Sequence, residues 1–121
     1  MHSKNSNYSK GNVYEKKYMD KLVSNGYIVD RAIRRIIKRD GKFINIGSDF
    51  FGLFDLIAIK DNQILFVQVT SGNWHSKKEL IDFANKTQNT HITYILAKYD
   101  KETDEFQEFV YKYVPQKNNN D

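Results

Sequence analysis

The tightest constraint on this chain is a pair of apolar runs, residues 54–60 and 64–70, separated by a short polar link with its turn at Asp61-Asn62. Two strand-forming runs joined by so brief a link predict a β-hairpin. Both runs are apolar on both faces, and such strands belong in the middle of a sheet covered on either side by helices or by a partner subunit. A polar side chain inside them has few harmless positions, so each one present needs a reason.

Around this hairpin the spacing predicts the order α, β meander, α, β, β. Asn12 and Glu15 have capping-box spacing, and Tyr14, Tyr18 and Leu22 with Met19 and Val23 recur at helical intervals up to Asn25-Gly26, so a helix is expected over 12–25. Extended pieces follow at 27–32, 34–38 and 42–46, with a turn at Asp40-Gly41 and a loop over 47–52. Ser76 and Glu79 form a second capping box before Leu80, Ile81, Phe83 and Ala84, a helix ending near Asn85. Strands at 91–99 and 106–114 complete an α/β chain. A length of 121 residues suits one domain, expected over 10–114, with a flexible start at 1–9 and a disordered, asparagine-rich tail at 115–121.

The absence of cysteine excludes disulfides and thiolate zinc sites and suits a reducing compartment. No apolar run approaches the roughly 20 residues that span a bilayer, so a soluble, cytoplasmic protein without membrane contact is expected. Charge is divided unevenly: residues 1–48 hold eleven Lys and Arg against four acids, and the remainder eight against eleven. The basic half, with Lys10 and Lys17 among tyrosines and the cluster Arg31, Arg34, Arg35, Lys38 and Arg39, suits phosphate contacts, although a solvated basic surface has the same composition.

Asp55 stands between Phe54 and Leu56-Ile57-Ala58-Ile59, where a lone carboxylate is costly unless a cation or a donor compensates it. Period-two alternation puts Gln68 and Thr70 on one face of the next strand, so the hairpin can gather Asp55, Gln68 and Thr70 at one end of the sheet. Glu15 precedes Tyr18, Met19 and Leu22 by three, four and seven residues, which turns it toward the sheet. Two carboxylates, the Gln68 amide oxygen and the Val69 main-chain carbonyl make an oxygen-rich set suited to Mg²⁺ or Mn²⁺. Such an ion can activate a water for attack on phosphorus. Plainer roles stay open: Glu15 as a capping acid, Gln68 as a satisfied core amide, Thr70 as an ordinary strand residue.

A helix with Glu, a strand bearing Asp, a hairpin, and a strand with a polar pair two apart is similar to the PD-(D/E)XK nuclease order, over roughly residues 10–114. Lys10-Gly11 with Glu15 resembles the K-G-x-x-x-E opening of archaeal Holliday junction resolvases; Gly26-Tyr27 with Arg31 resembles their next glycine, aromatic and arginine; Ser48 resembles their loop serine ahead of the aspartate. The resemblance implies a restriction-endonuclease-like core of αβββαβ order, with a mixed sheet flanked by helices. It further implies acids that bind metal, a homodimer, and paired cuts in branched DNA.

Two motif positions depart from that pattern. Phe54-Asp55 replaces Pro-Asp, and Gln68-Val69-Thr70 stands where Glu-x-Lys is expected. Glutamine still offers a ligand oxygen, but threonine cannot offer a positive charge. Lys77, three, four and seven residues before Leu80, Ile81 and Ala84, is the candidate replacement, with an exposed first-turn lysine as the plainer alternative. His75, His2 and His91 are weaker candidates for assistance. The missing lysine also motivates a rival function, a nuclease fold that has lost catalysis and binds nucleic acid. A scaffold without nucleic acid would leave the basic half and the buried acids unexplained.

Overall fold

The structure, a computed structural model, describes residues 6–33, 35–46, 49–74 and 76–115. The chain runs α1 (Ser6–Ser24), β1 (Ile28–Arg31), β2 (Arg35–Arg39), β3 (Lys42–Ile46), β4 (Leu56–Lys60), β5 (Gln63–Thr70), α2 (Lys77–Thr87), β6 (Ile92–Asp100) and β7 (Glu105–Lys112). Five strands form one sheet in the order β1-β4-β5-β6-β7, and β2 and β3 form a separate two-stranded ribbon. The result is a mixed α/β fold with a central sheet flanked by two helices. Among the described residues no helix is long and apolar enough to cross a membrane.

The apolar hairpin takes the place its composition demands. β5 lies at the centre of the sheet between β4 and β6, pairing antiparallel with β4 and parallel with β6. The parallel pairing requires a crossover, which α2 supplies. Side chains alternate along β5 into two cores. Leu65, Val67 and Val69 join Tyr18 and Leu22 of α1, together with Leu56, Ala58, Ile95 and Ala97. Ile64 and Phe66 join Leu80 and Ala84 of α2, together with Phe54, Tyr94 and Leu96.

Both helices end on local chemistry. The Gly26 N–H donates to the Val23 carbonyl and the Tyr27 N–H to that of Leu22, both at 3.0 Å, which closes α1 in a Schellman turn. Gly26 takes φ +94° there, a conformation that disfavours other residues. Lys60 reaches across to donate to the Asn25 carbonyl at 2.7 Å. At α2 the Ser76 hydroxyl accepts the Glu79 N–H at 3.4 Å, the expected cap, and the helix continues to Thr87, two residues past Asn85.

Two of the boundaries that differ from the sequence expectation bear on the buried acids. α1 begins at Ser6, so Asn12 lies inside the helix and cannot cap it. The polar stretch before it contains no proline to stop a helix, and Gly11 alone costs only about 1 kcal/mol. Glu15 is therefore a mid-helix residue on the buried side rather than a capping acid. β4 begins at Leu56 rather than at residue 54, because the chain is distorted at Asp55.

Candidate functional site

The distortion at Asp55 has a definite form. Leu56 is the register partner of Val67, yet the Asp55 N–H also donates to the Val67 carbonyl, at 2.8 Å. Two residues thus face one, a β-bulge. The packing agrees: Phe54 belongs to the α2-side core and Leu56 to the α1-side core, whereas residues two apart in a regular strand would share a face. Upstream, Phe50 and Phe54 bridge a tight turn containing Phe51 and Gly52, both at positive φ.

The bulge aims the Asp55 carboxylate at the strand beside it. Its Oδ2 accepts the Val69 N–H at 2.7 Å, and its main-chain carbonyl accepts the Ala32 N–H at 2.9 Å. Asp55 is 5% exposed, so the charge-assisted bond to β5 offsets part of the burial cost. The Val69 carbonyl leaves the strand on the same side as its N–H, toward Asp55.

Glu15 reaches the same end of the sheet from α1. It is also 5% exposed, and its Oε1 accepts from Arg31 Nε at 3.3 Å. Arg31 ends β1 as the register partner of Leu56, the residue next to Asp55. The fold therefore sets one arginine and two buried carboxylates where β1, β4 and β5 meet beneath α1. The sequence had marked Arg31 for phosphate contacts; its bond to Glu15 could be found only from the pairing of β1 with β4.

The remaining candidates lie elsewhere. Gln68 and Thr70 continue the Ile64 and Phe66 side of β5, the α2 face, opposite to Glu15. The Thr70 hydroxyl donates to the Asn73 carbonyl at 3.2 Å and accepts the Gly72 N–H at 3.3 Å, closing the loop into α2. Lys77 Nζ lies 5.4 Å from the centre of the Trp74 ring and 4.9 Å from that of Phe109, over β7. With strands about 4.8 Å apart, β7 is three strand spacings from β4, so this ammonium is not brought to the acids. Lys98, the parallel partner of Thr70, also lies over Trp74, at 5.6 Å; the sequence did not single it out, because only the β5-β6 register reveals the pairing.

Of the residues marked for nucleic acid, Lys17 bonds Asp104 at 3.1 Å and lies over the Tyr99 ring. The Asp104 bond raises the Lys17 pKa, while hydrogen bonds from Tyr99 and then Lys17 lower that of Asp104. Lys38 is exposed on β2. Arg34, Ser48, His75 and His2, and the side chains of Lys10 and Arg35, lie outside the described residues, as do 1–5 and 116–121. An open cleft of about 540 Å³ is lined by Lys17, Lys21, Tyr99, Asp104, Glu105 and Phe106 and includes neither buried acid.

Among the described residues no group of three or more His, Asp or Glu side chains is assembled to hold a metal ion. The acid site consists of two carboxylates with main-chain groups. No protein-family profile and no curated protein sequence matches the chain.

Proposed function

We propose that this chain is a divalent-metal-dependent endodeoxyribonuclease of the PD-(D/E)XK type acting on branched DNA, four-way junctions among them. The observation that carries this reading is that two buried carboxylates are held at one end of the sheet, Glu15 by Arg31, the register partner of Leu56, and Asp55 by the Val69 N–H. The strand plan supports it: a helix, then the antiparallel set β1-β4-β5, then α2 leading to parallel β6, follows the αβββαβ order of restriction-endonuclease-like cores.

The donors suit a hard cation. Mg²⁺ is commonly held by one or two carboxylates with retained waters, so a third acid is not required. Asp55, Glu15 and the Val69 carbonyl would hold the ion, and Gln68 would have to reach it from the opposite face. A bound ion lowers the pKa of a water and neutralises charge on the phosphate. The chain's own part is orientation: the Val69 N–H fixes the Asp55 carboxylate, and Arg31 holds Glu15 in place. Cutting both strands of a junction needs two such centres, so the reading includes a homodimer.

A second reading, a binding module of the same fold without catalysis, is favoured by one observation. The motif-lysine position is Thr70, whose hydroxyl serves a turn, and the candidate replacement Lys77 lies over two aromatic rings.

An end-labelled four-way junction and a matched linear duplex, each incubated with Mg²⁺, Mn²⁺ or EDTA, separate the two. Paired, metal-dependent nicks near the branch point that vanish in Asp55→Asn are expected. Asparagine keeps an oxygen for the Val69 N–H and removes the charge, so loss of cleavage would not reflect loss of fold. Tight binding without cleavage would favour the binding module, and cleavage surviving in Asp55→Asn would remove Asp55 from the site.

A further inference from the structure

The ribbon of β2 and β3 stands apart from the rest of the molecule. Its strands pair with each other, Arg39 opposite Lys42, Lys38 opposite Phe43 and Ile37 opposite Ile44, and none of its described side chains belongs to either core. Asp40 and Gly41 both take positive φ, the two-residue hairpin turn for which Asp-Gly is suited, so the tip is sharply defined.

Its chemistry is unusual for an isolated hairpin. Lys38, Arg39 and Lys42 crowd the exposed tip with Asp40 as the one acid there, and Phe43 beside them is 76% exposed. Arg39 and Lys42 are direct cross-strand partners, a like-charge pairing that destabilises a ribbon. Nothing in the ribbon's own folding is served by this arrangement, whereas an anionic partner turns the repulsion into attraction. A two-stranded ribbon fits the B-DNA major groove, about 12 Å wide, with cations on its flanks reaching the phosphates. A two-fold contact centred on the tip would instead set these cations against their own image.

We infer that the β2-β3 ribbon is a DNA-gripping arm that enters the groove of a duplex, with Lys38, Arg39 and Lys42 on the phosphates and Phe43 against the groove wall. This inference rests on the nucleic-acid reading above and assigns the grip to an element remote from the acid site's chemistry.

The test is fluorescence anisotropy with a short labelled duplex in EDTA, across a salt series, so that cleavage plays no part. Wild type is compared with Arg39→Gln plus Lys42→Gln, and with Lys78→Gln plus Lys86→Gln, which removes the same charge from exposed positions of α2. The ribbon variant is expected to bind about tenfold more weakly and to lose about two from the slope of log affinity against log salt, with a melting midpoint unchanged or raised. The α2 variant should stay near wild type. Equal losses in both variants, or none in the ribbon variant while wild type binds, would overturn the arm and leave the nuclease reading intact. Failure of wild type itself to bind either this duplex or a labelled four-way junction at low salt would overturn the nucleic-acid reading and the arm with it. Unchanged DNA binding with a dimer that dissociates in the ribbon variant, followed by sedimentation, would assign the ribbon to contact between copies and overturn the arm.

Discussion

On the α1 side of the central sheet, mainly aliphatic side chains close around Tyr18 and Leu22, and two carboxylates are buried at one end. On the α2 side the core is a cluster of rings packed edge to face, Phe54, Phe66, Phe83 and Tyr94, and the cations near its margin, Lys77 and Lys98, lie over Trp74. The two sides handle charge differently. A carboxylate has no long stem with which to reach water, so Glu15 and Asp55 need fixed partners: a guanidinium and a backbone N–H. A lysine can run its stem along apolar surface, rest its ammonium on a ring face and stay hydrated. The acids are therefore the rigidly held groups and the lysines the replaceable ones.

The largest break in this comparison should come from the rings. Phe54 is fully buried beside the bulge, and Phe54→Ala should cost about 3–5 kcal/mol in chemical denaturation, enough to loosen the turn that presents Asp55. A loss below about 1 kcal/mol would mean that the aromatic core is not what anchors the bulge.

Next in size is Asp55 itself. Asp55→Ala leaves the buried Val69 N–H without its acceptor, at a cost of about 1–3 kcal/mol, whereas Asp55→Asn should lose distinctly less. Equal losses in the two variants would show that the charge, not the hydrogen bond, sustains the bulge.

The lysines that lie over rings should matter less to stability and not at all to chemistry. Lys77→Ala should cost about 0.5–1 kcal/mol in stability and leave any metal-dependent cleavage near wild type. A tenfold loss of rate would return Lys77 to the acid site and require α2 to move.

A smaller effect belongs to Tyr18, whose hydroxyl donates to Glu108 at 2.6 Å. Burial, and then that bond, raises its pKa above the ordinary 10.0. Above pH 10 the unfolded chain sheds this proton while the folded chain keeps it, so stability present below pH 10 declines as the pH rises further. The alkaline slope of the melting midpoint should flatten in Tyr18→Phe, and an unchanged slope would assign it to other tyrosines.

Much of this arrangement was legible in the sequence, because it follows from period and punctuation. The apolar runs placed β4 and β5 inside the sheet, Asp40-Gly41 marked the ribbon turn, and Ser76 with Glu79 marked the start of α2. Helical spacing also turned Glu15 inward, and the cost of a buried carboxylate singled out Asp55. What period could not show was register. The bulge adds one residue at Asp55 and shifts Phe54 to the other face, so the expected gathering of Asp55 with Gln68 and Thr70 gives way to a bond with the Val69 backbone. Arg31 beside Glu15 and Lys98 beside Thr70 likewise depend on strand pairings that no local pattern encodes.

The central claim, that Glu15 and Asp55 form a divalent-cation centre, is tested most directly by Mn²⁺ binding followed by electron paramagnetic resonance in wild type, Glu15→Gln and Asp55→Asn, without DNA. Saturable binding to wild type is expected, weakened in Glu15→Gln and abolished in Asp55→Asn, with all three proteins folded. Equal binding by the three would contradict it and leave the two acids as structural groups, held by Arg31 and by Val69.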